Sequence, residues 1–178
     1  MRRGLVPCAV ALLACAMALQ PAGAVEPPRL QRATLTVSDL DRSLAFYRDL
    51  LGFSVRATVA YDTPALRTMF HLPEGANASL TLLDAGEDQP RALALVSADG
   101  IEVDRAANRR HAPALVLTVS DMDGIDAALR AAGVEVLLAP TPLLDFSGKP
   151  MGREAAYLDP DGVRVVLFEQ AAPSAAEP

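Results

Sequence analysis

The segment LTVSDLD, Leu35 to Asp41, returns as LTVSDMD at Leu117 to Asp123, 82 positions later (35 to 117) in a chain of 178 residues. A near-identical phrase at that separation means one supersecondary unit built twice, which restricts the fold to two related halves. Each copy is an alternating strand running into a helix start. Leu35 and Val37 share one strand face, Thr34 and Thr36 the other; Leu115, Leu117 and Val119 repeat the pattern. Ser38 or Asp39 then caps a helix whose apolar stripe is Leu40, Leu44, Tyr47 and Leu51, with Gly52 as its stop. In the second copy Ser120 or Asp121 caps, and Ile125, Ala128, Leu129 and Ala132 form the stripe before Gly133.

Three strands are expected after each helix. In the first half they are Phe53 to Ala60, Ala78 to Leu83 and Ala92 to Val96; in the second, Val134 to Leu138, Glu154 to Leu158 and Val163 to Glu169. The last two are joined by Asp159-Pro160-Asp161-Gly162, a strong turn signal. Each half therefore reads β-α-β-β-β. Two such modules, about 30–100 and 112–170, give one α+β domain over 30–170. TPALRTMF reads as a short extra helix with Thr63 as cap and Pro64 in its first turn. The basic cluster Arg105, Arg109 and Arg110 reads as a solvated linker between the modules. Residues 139–153, with the only lysine at Lys149, read equally as a lid or as an ordinary long connection.

The first 24 residues stand apart. Arg2 and Arg3 precede an apolar run to Leu19, and Ala22-Gly23-Ala24 offers a cleavage site. This is the pattern of a signal peptide, so the expected product is periplasmic or secreted and begins at Val25. A rival reading takes Leu12-Leu13-Ala14-Cys15 as a lipobox, which would tether the chain to a membrane through Cys15. Both cysteines, Cys8 and Cys15, lie in this segment, so the cleaved chain has no thiol for a disulfide, a metal or nucleophilic chemistry. About 150 residues remain, enough for one core. Residues 25–29 are expected to be a flexible lead-in, and 171–178 a disordered tail. The formal charge of −6 argues against nucleic acid and anionic membranes as partners.

LTVSDLDRSLAFYRDLLGF resembles the opening module of the vicinal oxygen chelate superfamily, and DPDGVRVVLFE resembles the end of its second module. That superfamily includes glyoxalase I, extradiol dioxygenases and bleomycin resistance proteins. The resemblance implies paired modules whose mixed sheets curl around a shared ligand cavity, and a homodimer through sheet or helix edges. Metal-dependent members carry four ligands, one near the start of each module's first strand and one on each module's last strand. Those positions fall here on Arg32, Ala94, Ala114 and Val166. Alanine and valine have no donor atom and arginine stays protonated, so no metal and no other cofactor is expected. His111 and Glu169 are each three positions from a ligand position and so on the wrong strand face, and His71 lies in the extra helix.

The same parity names an expected cavity wall. Arg32, Thr34 and Thr36 face in from the first strand, and Ala114, Val116 and Thr118 from its counterpart; Ala92, Ala94, Val96, Arg164, Val166 and Phe168 come from the closing strands. Tyr157, just before the turn, is a further candidate donor. Such a wall suits a small organic molecule with an acidic or carbonyl group, with Arg32 as a fixed charge in place of the ion. The expected function is binding without chemistry, by analogy with bleomycin resistance. The alternative is a glyoxalase-like lyase or isomerase using Arg32, a threonine hydroxyl or Tyr157; a third reading is an interaction module of the envelope whose cavity is filled with side chains. Against both site roles stand plainer ones, Arg32 reaching solvent from its strand start and Tyr157 packing with a satisfied hydroxyl.

Overall fold

The structure, a computed structural model, describes residues 28–61 and 63–171. The expected signal peptide, most of 25–29 and all of the expected tail except Ala171 lie outside the described residues.

The repeat builds two four-stranded mixed sheets. The first has the order β1-β4-β3-β2, from β1 (Ala33–Thr36), β2 (Ser54–Ala60), β3 (Ala78–Asp84) and β4 (Leu93–Ala98). The second repeats it as β5-β8-β7-β6, from β5 (Leu115–Thr118), β6 (Val136–Leu144), β7 (Pro150–Leu158) and β8 (Arg164–Gln170). In both, the first strand lies parallel to the last and every other pairing is antiparallel. The expected α+β class and tandem βαβββ modules are therefore the observed fold. The two sheets stay separate, each ending at its own first strand.

The helix starts resolve the cap alternatives. Asp39 caps α1 (Leu40–Leu44), its Oδ1 accepting the Arg42 N–H at 3.0 Å, and Asp121 caps α4 (Met122–Ala131), accepting the Gly124 N–H at 2.9 Å. α1 passes directly into a π-helical segment, Ala45–Leu50, which buries Phe46 and Tyr47. Gly52 and Gly133 end these helices at φ of 79° and 74°, the left-handed conformation that a stop requires.

Both helices pack on the same side of the sheets and share one core. Val37, Tyr47, Leu93 and Leu95 from the first module meet Met122, Leu129, Tyr157, Val165 and Leu167 from the second. The modules thus form one domain on a common apolar layer, not two docked units.

Two connections differ from expectation. The supposed linker at Arg105 is α3 (Arg105–His111), capped by Asp104, with Arg105 and Arg109 paired to Glu135. Three arginines on a short polar helix hide it from any hydrophobic-periodicity test, since α3 buries no residue. Residues 139–153 form the far end of a long β6–β7 hairpin that turns at Asp145–Lys149, whose Asp145 side chain accepts from the Ser147 and Lys149 N–H groups. β6 tolerates Pro140 and Pro142 because it is the outermost strand, and its register slips between Leu138 and Thr141.

Candidate functional site

The side of the sheets away from the shared core is where the expected cavity would lie, and its two halves differ. On the first sheet, Ala94 and Val96 face this side together with Ala78 and Leu80, as strand parity requires. They do not line open space. The segment after β2 carries α2 (Pro64–Phe70), capped by Thr63 as expected, and lays Tyr61, Phe70 and Leu72 over them. Ala94 is left 0% exposed. On the second sheet the corresponding segment is the hairpin turn at 145–149, which is largely exposed. Val116 there is 66% exposed, Thr118 is exposed, and Val166 and Phe168 are half-buried beside Ala156 and Glu154.

With half of the expected cavity filled, the open space lies along the two unjoined edges, β1 and β5. One cleft of about 610 Å³ is bounded by Arg32, Ala33, Ala92 and Leu93 on one side and Ala114 to Leu117 on the other, with Gln31, Asp88 and Gln89 at its polar rim. A second, of about 640 Å³, brings Thr34 and Thr36 against His71, Asn108, Pro113 and Val163. A third, of about 450 Å³, runs from Gly52 past Val116 and Thr118. Arg32, Ala114 and Val116 thus line one cleft across the module boundary. Arg164 stands apart from it, because its guanidinium donates to the Arg109 carbonyl at 3.3 Å and so caps the end of α3.

Tyr157 is on the opposite face from the one expected. It packs at 0% exposure in the shared core, cross-strand from Val165, and its hydroxyl donates to Asp126 Oδ1 of α4 at 2.7 Å. Burial, then the Asp126 contact, pushes this phenol well above its usual value, while Arg130 and Tyr157 together hold Asp126 below the usual carboxylate range. Tyr157 is a packing residue with a satisfied hydroxyl, and it lines none of these three clefts.

His71 is the reverse case. Expected only as a helix residue, it ends α2 in the left-handed region, at φ 50°, and that turn brings it to the wall of the cleft beside Thr34 and Thr36. Glu154, on the open face of the second sheet between Phe168 and Thr141, is a further residue absent from the expected wall. Strand parity could have found it. Glu154 is two residues from Ala156, which pairs with Val166, so all three share a face.

The four positions that the resemblance puts forward for metal ligands are Arg32, Ala94, Ala114 and Val166. Among the described residues no three His, Cys, Asp or Glu side chains converge in a way that could hold an ion. The donor set does not fit a divalent metal.

The cleft walls are fixed by a hydrogen-bonded turn. Asp161, 3% exposed, accepts from the Ser38 N–H at 3.1 Å, from the Ser38 hydroxyl and from Arg42 at 3.3 Å, tying the end of β1 to the start of β8. Asp159 accepts the Asp161 and Val163 N–H groups on one oxygen and the Tyr47 hydroxyl on the other. Burial pushes the Asp159 carboxyl above its ordinary value, against the Tyr47 and Val163 hydrogen bonds; burial, with the Asp159 charge, holds Tyr47 well above its own.

Comparison with known proteins gives the same picture. The profile of the Glyoxalase/Bleomycin resistance protein/Dioxygenase superfamily matches residues 29–167. No curated protein matches the sequence. A glyoxalase family protein from Bacillus cereus has a similar structure, with TM-score 0.65 and 15% identity, over 85% of this chain and 100% of that one. Glyoxalase I of Leishmania major gives 0.52 and 24%, over 80% and 87% of the two chains. A fosfomycin resistance protein of Listeria monocytogenes gives 0.52 and 16%, over 82% and 96%. At these identities the likeness is one of fold.

Proposed function

Because the chain belongs to the glyoxalase/bleomycin resistance protein/dioxygenase superfamily, we propose that it is an exported, metal-independent binding protein that takes a small organic molecule in the seam between its modules. One observation carries this reading. The positions expected for metal ligands hold side chains without usable donors, and the seam keeps an apolar cleft of about 610 Å³, within the range of small-molecule sites. A cavity without any function would be free to fill. Here one half is filled by α2 and the other half is left open with Val116 exposed. Proteins named for antibiotic resistance share the fold, as the fosfomycin resistance protein does, and sequestration needs no catalytic group.

The test is elemental analysis of the purified chain, chelated and then re-exposed to zinc, nickel, manganese and iron, with thermal melting alongside. No stoichiometric metal and no melting shift are expected. One tightly held ion per chain would overturn the metal-independent reading. Export is checked by the mass of the chain recovered from the periplasm, which should begin at Val25; a lipidated Cys15 would replace it with an anchored protein.

A second reading, a metal-independent lyase or isomerase, rests on His71, which shares a cleft with the Thr34 and Thr36 hydroxyls. It predicts that chelated protein consumes a glutathione hemithioacetal and that His71→Ala does not. Equal inertness of both proteins removes it.

A further inference from the structure

From Arg32 and its surroundings we infer that the seam ligand is an organic monoanion with a flat apolar body, its acid group on the Arg32 guanidinium and its body against β5. This rests on the binding reading above and narrows it to a ligand class.

Arg32 differs from the other described arginines. Arg42, Arg48, Arg56, Arg105, Arg109, Arg130 and Arg153 each meet a carboxylate, and Arg67 and Arg164 meet backbone carbonyls. Arg29 is engaged as well. The guanidinium groups of Arg91 and Arg110 form no hydrogen bond or ion pair with any described residue, but both residues stand exposed in water. Arg32 is half-buried at the wall of a cleft and has no hydrogen bond or ion pair with any described residue. In a chain with 22 acidic residues against 16 basic ones, a half-buried arginine on a cleft wall, paired with no carboxylate among the described residues, is a place held for an anion from outside.

The rest of the cleft sets the size and charge of that anion. Ala92 and Ala114 remove bulk beside Arg32, opening a slot onto Val116, whose exposed apolar face is the surface that the ligand body would cover. The slot runs between two strand edges, which favours a flat, aromatic body over a branched one. Asp88 lies on the same cleft wall and the chain carries −6 overall. Arg32 is the one cationic side chain lining this cleft, so it can pair with a single negative charge, and Asp88 adds repulsion against any further one. A second charge on the ligand would be unpaired and repelled, which excludes phosphate esters and dicarboxylates as good ligands.

The experiment uses two dyes with the same aromatic body, the monoanion 1-anilinonaphthalene-8-sulfonate and the neutral N-phenyl-1-naphthylamine, titrated by fluorescence into the purified chain and into Arg32→Met. Methionine keeps the stem and removes the charge. The anion should bind one per chain and weaken about tenfold in Arg32→Met, the worth of one charge-assisted hydrogen bond, while the neutral dye is unchanged. The control Arg110→Met should alter neither. Independently of any variant, raising salt from low to high should weaken the anion and leave the neutral dye alone. 2-Naphthoate should displace the anionic dye at about a tenth of the concentration that 2,6-naphthalenedicarboxylate needs, the second charge being unpaired.

Equal binding of both dyes, insensitive to Arg32→Met and to salt, overturns the anion assignment and leaves the binding reading standing. Binding of neither dye overturns both. Stronger displacement by the dicarboxylate overturns the single-charge argument.

Discussion

The Tyr47 hydroxyl donates to the Asp159 carboxylate at 2.8 Å across 112 residues of sequence, joining the helical segment of the first module to the turn that closes the second. Both side chains are buried. The contact holds a desolvated carboxylate in place, and the same turn, through Asp161 and Ser38, fixes the end of β1 against the start of β8. The position of the seam therefore depends on a hydrogen bond inside the core.

Tyr47→Phe should cost about 2–3 kcal/mol, the penalty for leaving a buried charged acceptor without its donor. The pH dependence gives the mechanism. The Tyr47 contact lowers the Asp159 pKa, so removing it raises an already elevated value further. A group with a raised folded-state pKa contributes stability below its unfolded pKa and loses it as pH rises through the folded value. The defect of the variant should accordingly be largest near neutral pH and shrink as pH falls toward protonation of Asp159. Urea melts of both proteins at two pH values measure this; a defect that is the same at both would show that the hydroxyl matters for packing alone.

Gly162 and Gly133 both sit at positive φ, 85° and 74°, but only one is also crowded. A Cβ on Gly162 would lie 2.4 Å from the Arg105 carbonyl, whereas one on Gly133 meets nothing within 4 Å. Gly133→Ala should cost about 1 kcal/mol, the left-handed penalty alone. Gly162→Ala adds a clash with backbone that cannot swing away, and should cost several times as much, on the order of 3 kcal/mol or more. Thermal melting ranks the two. Equal losses would mean that α3 moves freely off the turn.

The repeat makes the modules, their strand faces and their caps legible, because period two and the cap chemistry are local. What it cannot supply is docking. That α2 lies over Ala94 and Val96 follows from where Phe70 and Leu72 find apolar surface, and a seven-residue helix does not announce its target face. Tyr157 escapes a sequence reading for a related reason. Its cross-strand partner, Val165, belongs to the core face, and only the register of β7 on β8 says so. His71 reaches a cleft through a left-handed cap that no hydrophobic pattern encodes.

The two faces of the second sheet should answer differently to truncation. Leu167 is 0% exposed in the shared core and Val116 stands open on the far side. Leu167→Ala should cost about 2–5 kcal/mol through the cavity it leaves. Val116→Ala should stay within about 0.5 kcal/mol, as expected of an exposed site. A large loss at Val116 in melting would mean that this face is covered in solution, by a second copy or by another part of the chain.

Tyr157→Phe separates a packing tyrosine from a ligand-binding one. Asp126 keeps Arg130 as a partner when the phenol is gone, at 2.8 Å, so no buried charge is stranded. The loss should be about 1 kcal/mol, that of an ordinary hydrogen bond. Because the hydroxyl points at α4 and away from the seam, the affinity for the naphthalene dyes should be the same as in the unmodified chain. A variant that melts normally but binds the anionic dye several-fold more weakly would place Tyr157 at the site after all. It would require β7 to be shifted by one residue on β8, exchanging its two faces.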